Sequence, residues 1–403
     1  MISWIKFIKY ILLLLLSFTL LTANSLNKSL NKFSIDLFKK LNKNEDKNIL
    51  ISPLSVSYAL MMVNKGASDN TSNNILSTLN IRPNDVNKYY CLIEKYSNNL
   101  SKRNLSIGNA IWIQKDKCYL PNANYISFID SVFKGQAFYV DFSNNTLKII
   151  RDINNWAFES TNGMINEIVS ENDIKRTTVQ ALLNTVYFKA GWLTPFDTTK
   201  TEIEYFNIDS KNKKEIYMMN KKNRYPYYSN ADFQLLELEY IDNNISMFIF
   251  LPNDDNLNLI IDNLNDSKLK ESIDSLKVSP GHVSIPMFKT EASYSLKKHL
   301  KSMGMNIPFS PNLASFDAFW DYNKNCFESN PKHYIDLINH KTNIDLDENG
   351  VEVAAATAII MNRITSISPF VEPFTFKANK PFLYLIYDKE YENIIFIGKY
   401  VGL

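Results

Sequence analysis

Few residues in this chain of 403 amino acids are spaced for covalent chemistry. The four histidines, His282, His299, His333 and His340, belong to no zinc or nucleophile motif. The serine-hydrolase elbow, the metalloprotease helix motif, the dinucleotide fingerprint and the phosphate loop are all missing. Asp345-x-Asp347-x-Asn349-Gly350 opens like a calcium loop, but its last ligand position, which needs a bidentate Glu, is Ala356. Cys91, Cys118 and Cys326 fit neither a zinc spacing nor a disulfide scaffold; one bridge with a free thiol and no bridge at all are both open. These residues predict no metal, no cofactor and no enzyme.

The stretch that invites a functional reading is Asp347 to Ile364, DENGVEVAAATAIIMNRI. Asn349-Gly350 is a turn signal. From there one alternate register reads Val351, Val353, Ala355, Thr357, Ile359 and Met361. The other reads Glu352, Ala354, Ala356, Ala358 and Ile360. One face is apolar and the other is small and led by a carboxylate, which suits a strand. Ala354-Ala355-Ala356 is equally a helix former, so local propensity leaves strand and helix open.

The elements around this stretch decide how it is read. Upstream lie Asn339-His340-Lys341 and the alternating Ile344 and Leu346. Downstream lie Phe376-Lys377-Ala378-Asn379-Lys380-Pro381-Phe382-Leu383 and the apolar Ile394 to Lys399. This order resembles the serpin family: an acid-ended strand, a Gly-Val-Glu-x-Ala-Ala-Ala-Thr hinge, a reactive loop, then F-x-A-N-K-P-F and a final strand. The resemblance covers nearly all of the chain after residue 24. It implies an α+β serpin fold, about nine helices around three β-sheets with an exposed reactive-centre loop near 349–374. The hinge is Glu348, Gly350, Val351, Glu352, Val353, Ala354, Ala355, Ala356 and Thr357. Counting along the family's usual loop from Glu348 puts the scissile bond between Ile364 and Thr365. A loop one residue shorter puts it between Arg363 and Ile364. Ile364 suits an elastase-like pocket and Arg363 a trypsin-like one.

The resemblance also assigns supporting residues. Ser52-Pro53-Leu54-Ser55 opens a helix running to Gly66, with proline in its first turn. Leu182 to Trp192 is an apolar strand interrupted by Asn184, whose amide needs partners if buried. Ser52, Ser55 and His340 are its implied partners in a shutter cluster. The breach is implied at Trp192, Met287, Lys289 and Glu348. Met287 stands where the family often has a base, so Lys289 is the expected substitute partner for Glu348. Val351 and Val353 depart from the small residues usual there.

Elsewhere, helical spacing predicts a helix over 26–42, with Asn27 as its cap. Strands are expected at Asn109–Ile113, Phe138–Phe142, within Glu202–Met219 and Phe233–Pro252, and at Val283–Lys289. A helix followed by a turn is expected over Ile150–Val169, short helices over Leu257–Leu276, and a loop over Pro308–Lys332. No internal repeat or long linker occurs, which reads as a single domain over residues 24–403.

Lys6, Lys9, the apolar run Tyr10–Leu21 and Thr22-Ala23 read as a signal peptide over residues 1–23, the run being shorter than the roughly 20 residues of a membrane span. Sequons at Asn27, Asn70, Asn99, Asn104, Asn144, Asn244 and Asn265 then become glycosylation candidates. A net charge of +2 argues for no nucleic-acid partner. Lys88, Lys95, Lys102 and Arg103 are candidates for a glycosaminoglycan patch, but sparse spacing with Glu94 among them reads better as a solvated face. The expected function is a secreted, monomeric inhibitor that traps a serine protease as a covalent acyl complex. The alternative is a non-inhibitory carrier or chaperone on the same fold.

Overall fold

A computed structural model describes residues 26–43, 45–100, 105–116, 118–242, 244–322, 333–351 and 371–402. Residues 26–42 form helix α1, which buries Leu30, Phe33, Leu37, Phe38 and Leu41 as the spacing predicts. Asn27 lies within this helix and does not cap it. Helix α2, Pro53–Gly66, starts on its proline and is buried almost throughout. Ser52 makes no side-chain cap; its hydroxyl donates to the Ile395 carbonyl at 2.7 Å. Helix α3, Phe142–Ser160, starts earlier than expected. The Asp141 carboxylate accepts from the Asn144 N–H at 3.2 Å, ending the preceding strand before Phe142.

Among the described residues the main sheet has seven strands: β1 (Leu105–Gln114), β2 (Gln136–Val140), β3 (Gln180–Phe188), β4 (Ala190–Gly191), β5 (Phe288–Ser295), β6 (Leu337–Asp347) and β7 (Gly350–Val351). Their order is β2-β1-β3-β6-β7-β4, with β5 also pairing β6. The β3/β6 contact is parallel, Leu337 to Thr342 opposite Ala181 to Val186. β1 runs antiparallel to β3, and β5 antiparallel to β6.

A nine-stranded sheet runs Ile49–Ile51, Asn393–Tyr400, Phe382–Asp388, Ile245–Pro252, Phe233–Glu239, Lys213–Ser229, Lys277–Pro286 and Phe374–Lys377, with Glu202–Asn207 also on Lys213–Ser229. The expected single strand Val283–Lys289 is divided between the two sheets. Pro286 has no N–H to continue the ladder, and the Met287 N–H bonds the Tyr217 carbonyl at 2.9 Å. From Phe288 the chain crosses into the main sheet.

Part of the expected loop over Pro308–Lys332 is ordered: Trp320–Tyr322 pairs with Tyr119–Pro121 as a two-stranded ribbon. Cys118, just before that ribbon, is disulfide-bonded, while Cys91 is a free, exposed thiol. Cys326 lies outside the described residues. Among the described residues no helix is long and apolar enough to cross a membrane.

Two apolar layers flank the main sheet. Behind it, Leu182, Val186 and Phe188 of β3 join α1, α2 and the nine-stranded sheet in the larger core. In front, Ala181, Leu183 and Leu337 pack under Ile149, Ile153 and Ala157 of α3, with Trp156 partly buried on the same cluster.

Candidate functional site

The site is the contact between β3 and β6. Low in the sheet the two strands bond directly. At the top they part, and β7 lies between β6 and β4: Val351 is opposite Leu346 on one side and Ala190 on the other. The expected hinge thus begins inside the sheet, and Val351 is 2% exposed. Val351 is therefore buried with the loop still attached to the sheet. The loop expected over 349–374 overlaps ordered strands at both ends, since Phe374–Lys377 pairs in parallel with Lys277–Pro286. Glu352, Val353, Ala354, Ala355, Ala356, Thr357, Arg363, Ile364 and Thr365 lie outside the described residues.

Gly350 is required by this arrangement. Its φ is +134°, and a Cβ there would stand 2.3 Å from the Ala190 carbonyl oxygen and 2.7 Å from Gly191 Cα. No side chain fits without moving β4.

Where β3 and β6 touch, His340 and Asn184 are directly opposite. The imidazole is fully buried. Its Nε2 accepts from the Ser52 backbone N–H at 3.1 Å, so Nδ1 carries the proton and donates to Asn184 Oδ1. Ser55 Oγ donates to the same oxygen at 2.6 Å, and Asn184 Nδ2 donates to Asn109 Oδ1 at 2.7 Å. Burial pushes the His340 pKa down to about 3, so the ring is neutral. The expected cluster is assembled with one change: Ser52 holds His340 rather than Asn184. Asn109 was missed, although it too is a polar residue in an apolar strand and lies opposite Asn184.

At the top of the cleft, Trp192 Nε1 donates to the Asp347 carbonyl at 3.0 Å, and the Trp192 and Phe196 N–H groups bond the Asn349 and Glu348 carbonyls at 2.8 Å each. The Glu348 carboxylate is buried and accepts from Thr201 Oγ1 at 2.6 Å. The expected Lys289–Glu348 pair is not formed. Lys289 is registered opposite Asp345 and pairs with it at 3.7 Å. Met287 lies at the crossing between sheets. Thr201 could not be found from spacing, because only the fold brings it to residue 348.

Two other readings meet the structure here. Lys88 pairs with Asp85 at 3.0 Å and Lys95 sits over the Tyr391 ring, which suits the solvated-face reading; Lys102 and Arg103 lie outside the described residues. Among the described residues no group of three or more His, Cys, Asp or Glu side chains is placed to hold a metal.

An α+β fold whose seven-stranded sheet seats the base of its own loop between two parted strands defines a recognisable class. The chain belongs to the serpin family: the serpin (serine protease inhibitor) family profile matches residues 28–403. It is 31% identical over 387 residues to the leukocyte elastase inhibitor of Xenopus laevis, covering 93% of this chain and 99% of that one. Human thyroxine-binding globulin, solved with thyroxine, superposes with a TM-score of 0.83 at 25% identity, covering 94% and 99% of the two chains. A thermophilic serpin, tengpin, solved in its native state, gives 0.80 at 29% identity over 93% and 94%.

Proposed function

We propose that this serpin is a secreted inhibitor of serine proteases, acting as a suicide substrate whose cleaved loop inserts between β3 and β6. The fold alone does not decide this, since thyroxine-binding globulin shares it. The observation that carries the reading is register. Leu346 and Ala190 flank Val351 at the same offset that pairs His340 with Asn184 below. A strand continuing down from Val351 would therefore stay in step with both neighbours.

Each residue of that strand has a defined slot. Val353 would meet Ile344 and Phe188, and Ile359 would meet Ile338 and Leu182, all in the apolar core. Thr357 would fall between His340 and Asn184 and offer a hydroxyl where their hydrogen bond had been. On the front face Ala356 and Ala358 would pass beside Thr185 and Leu183, beneath α3 and the turn after it. That layer is close: Ser160 Oγ is 3.0 Å from Thr185 Oγ1, and Asn339 bonds the Ile168 carbonyl at 3.0 Å. Small residues are what such a covered slot admits.

The protease supplies the chemistry: its serine attacks the loop carbonyl and forms an acyl-enzyme. Insertion breaks the six-position β3/β6 ladder and builds a ladder on each side of the new strand. Backbone bonds at about 1 kcal/mol net each, with burial of Val353 and Ile359, give a gain on the order of 10 kcal/mol. The native state is then held kinetically, by the hinge bonds and the His340 cluster.

Secretion rests on the Lys6-to-Ala23 segment and on the disulfide at Cys118, a bond that persists in oxidising compartments. Sequencing the N-terminus of exported protein should find residues 1–23 removed; export with that segment retained refutes it. For inhibition, the protein is mixed with elastase-like and trypsin-like proteases. A complex stable in SDS is expected, and the mass of the released peptide distinguishes cleavage after Ile364 from cleavage after Arg363. A panel that yields only cleaved protein refutes the reading.

A further inference from the structure

The strand anchoring the C-terminal end of the loop, Phe374–Lys377, pairs with Lys277–Pro286, which pairs with Lys213–Ser229. Across these three strands Thr375, His282 and Lys222 form one row, and the next row pairs Pro280 with Arg224. Alternation puts Lys222, Arg224, His282 and Val278 on the face opposite buried Val283 and Ile285. Lys222, Arg224 and Val278 are exposed, Val278 at 59%. Arg224 Nη2 donates to the Val278 carbonyl at 3.2 Å, and among the described residues no ion pair engages either base. Within residues 219–229, 277–286 and 374–377 there is no Asp or Glu. On the adjoining strand Glu237 and Glu239 line a cleft with Arg224 but are ion-paired to Lys389; Glu372 is exposed just before the anchor strand, and Glu204 is taken up by Lys377.

We propose that this face is a docking surface for an acidic patch on the target protease. Lys222 lies two strand spacings, about 10 Å, from the strand that carries the loop out of the fold. A protease engaging the loop would come down beside it. Two unneutralised bases with an exposed valine between the strands fit a carboxylate-bearing rim with a small apolar centre. Such a rim acts mainly on the rate of encounter and on its salt dependence. Lys221, one residue away, has its ammonium on the opposite face, bound to the Thr194 and Pro195 carbonyls at 2.7 and 2.8 Å, and is not part of this surface.

The inference rests on the inhibitory reading but is tested apart from it. The probes are two trypsin-like proteases, one of acidic and one of basic surface charge, each with its catalytic serine replaced by alanine so that no acyl-enzyme forms. Lys222→Glu/Arg224→Glu should bind the acidic protease at least tenfold more weakly at low salt, with a flattened salt dependence and unchanged binding of the basic one. Unaltered melting establishes that the variant folds. Equal affinity of wild type and variant for the acidic protease overturns the proposal. So does loss of retention on a sulfated-polysaccharide column with protease binding unchanged, which would assign the face to a polysaccharide. Covalent trapping by the active proteases is scored separately, so failure to trap does not alter the binding result.

Discussion

Ala355→Arg separates loop insertion from every other way this chain could meet a protease. Continuing the register from Val351, position 355 falls between Thr342 and Val186. Both are on the core side, 0% and 1% exposed. A guanidinium forced there meets the Thr342 hydroxyl, which already donates to the Leu50 carbonyl at 3.1 Å. An uncompensated buried charge costs about 3–5 kcal/mol. With a factor of ten for every 1.36 kcal/mol, insertion past Ala354 should slow by on the order of 10²–10⁴-fold. Hydrolysis of the acyl-enzyme then wins.

The native protein should not notice the change, because Thr342 and Val186 are paired directly with each other there. The assay is a titration of active protease with densitometry of the covalent band, together with melting curves before and after cleavage. The variant should melt like wild type when intact. It should give cleaved protein in place of complex, and it should lose the rise in melting temperature that cleavage confers on wild type. Undiminished covalent trapping by the Arg variant would refute the register argument and the insertion mechanism with it.

Further outcomes follow from the same cleft. His340→Ala strands the Ser52 N–H and removes one of the two donors to Asn184 Oδ1, which should lower stability by about 2–4 kcal/mol in urea unfolding; an unchanged midpoint refutes a structural role for the cluster. His340 has its pKa pushed down to about 3 by burial, against 6.5 unfolded, so its stabilising share is complete above pH 6.5 and falls as pH drops from there toward 3. That is about 2 kcal/mol by pH 5. His333, lowered to about 4 by burial, acts in the same sense, so the wild-type minus His340→Ala difference in melting between pH 5 and 7.5 isolates the one ring. Gly350→Ala should expel β7 from the cleft, because its Cβ would collide with the Ala190 carbonyl. Proteolysis near residue 350 should speed up several-fold; an unchanged rate would mean the backbone adapts.

Much of the fold was legible because its signals are local. The proline at the start of α2, the spacing in α1 and the apolar runs of β3 and β6 each carry their element in a few residues. The misreadings occurred where a distant contact overrode the local pattern. Val283–Lys289 is one alternating run by composition, yet Pro286 ends one ladder and Phe288 finds another. Phe142 extends an apolar strand by pattern, but the Asp141 cap turns the chain into α3. Lys289 is the nearest base to Glu348 along a strand, but register gives it Asp345.

Residue types by themselves singled out residues 347–364, with one register of small side chains and the choice of strand or helix open, and determined that Asn184 needs company. The tertiary structure alone decided who that company is, that Glu348 turns to Thr201, and that Val351 is already seated. The reason is physical: alternation along a strand is written in the sequence, but the partner across each rung is set by register. Here β3 and β6 come from segments some 150 residues apart, and nothing local in either encodes their alignment.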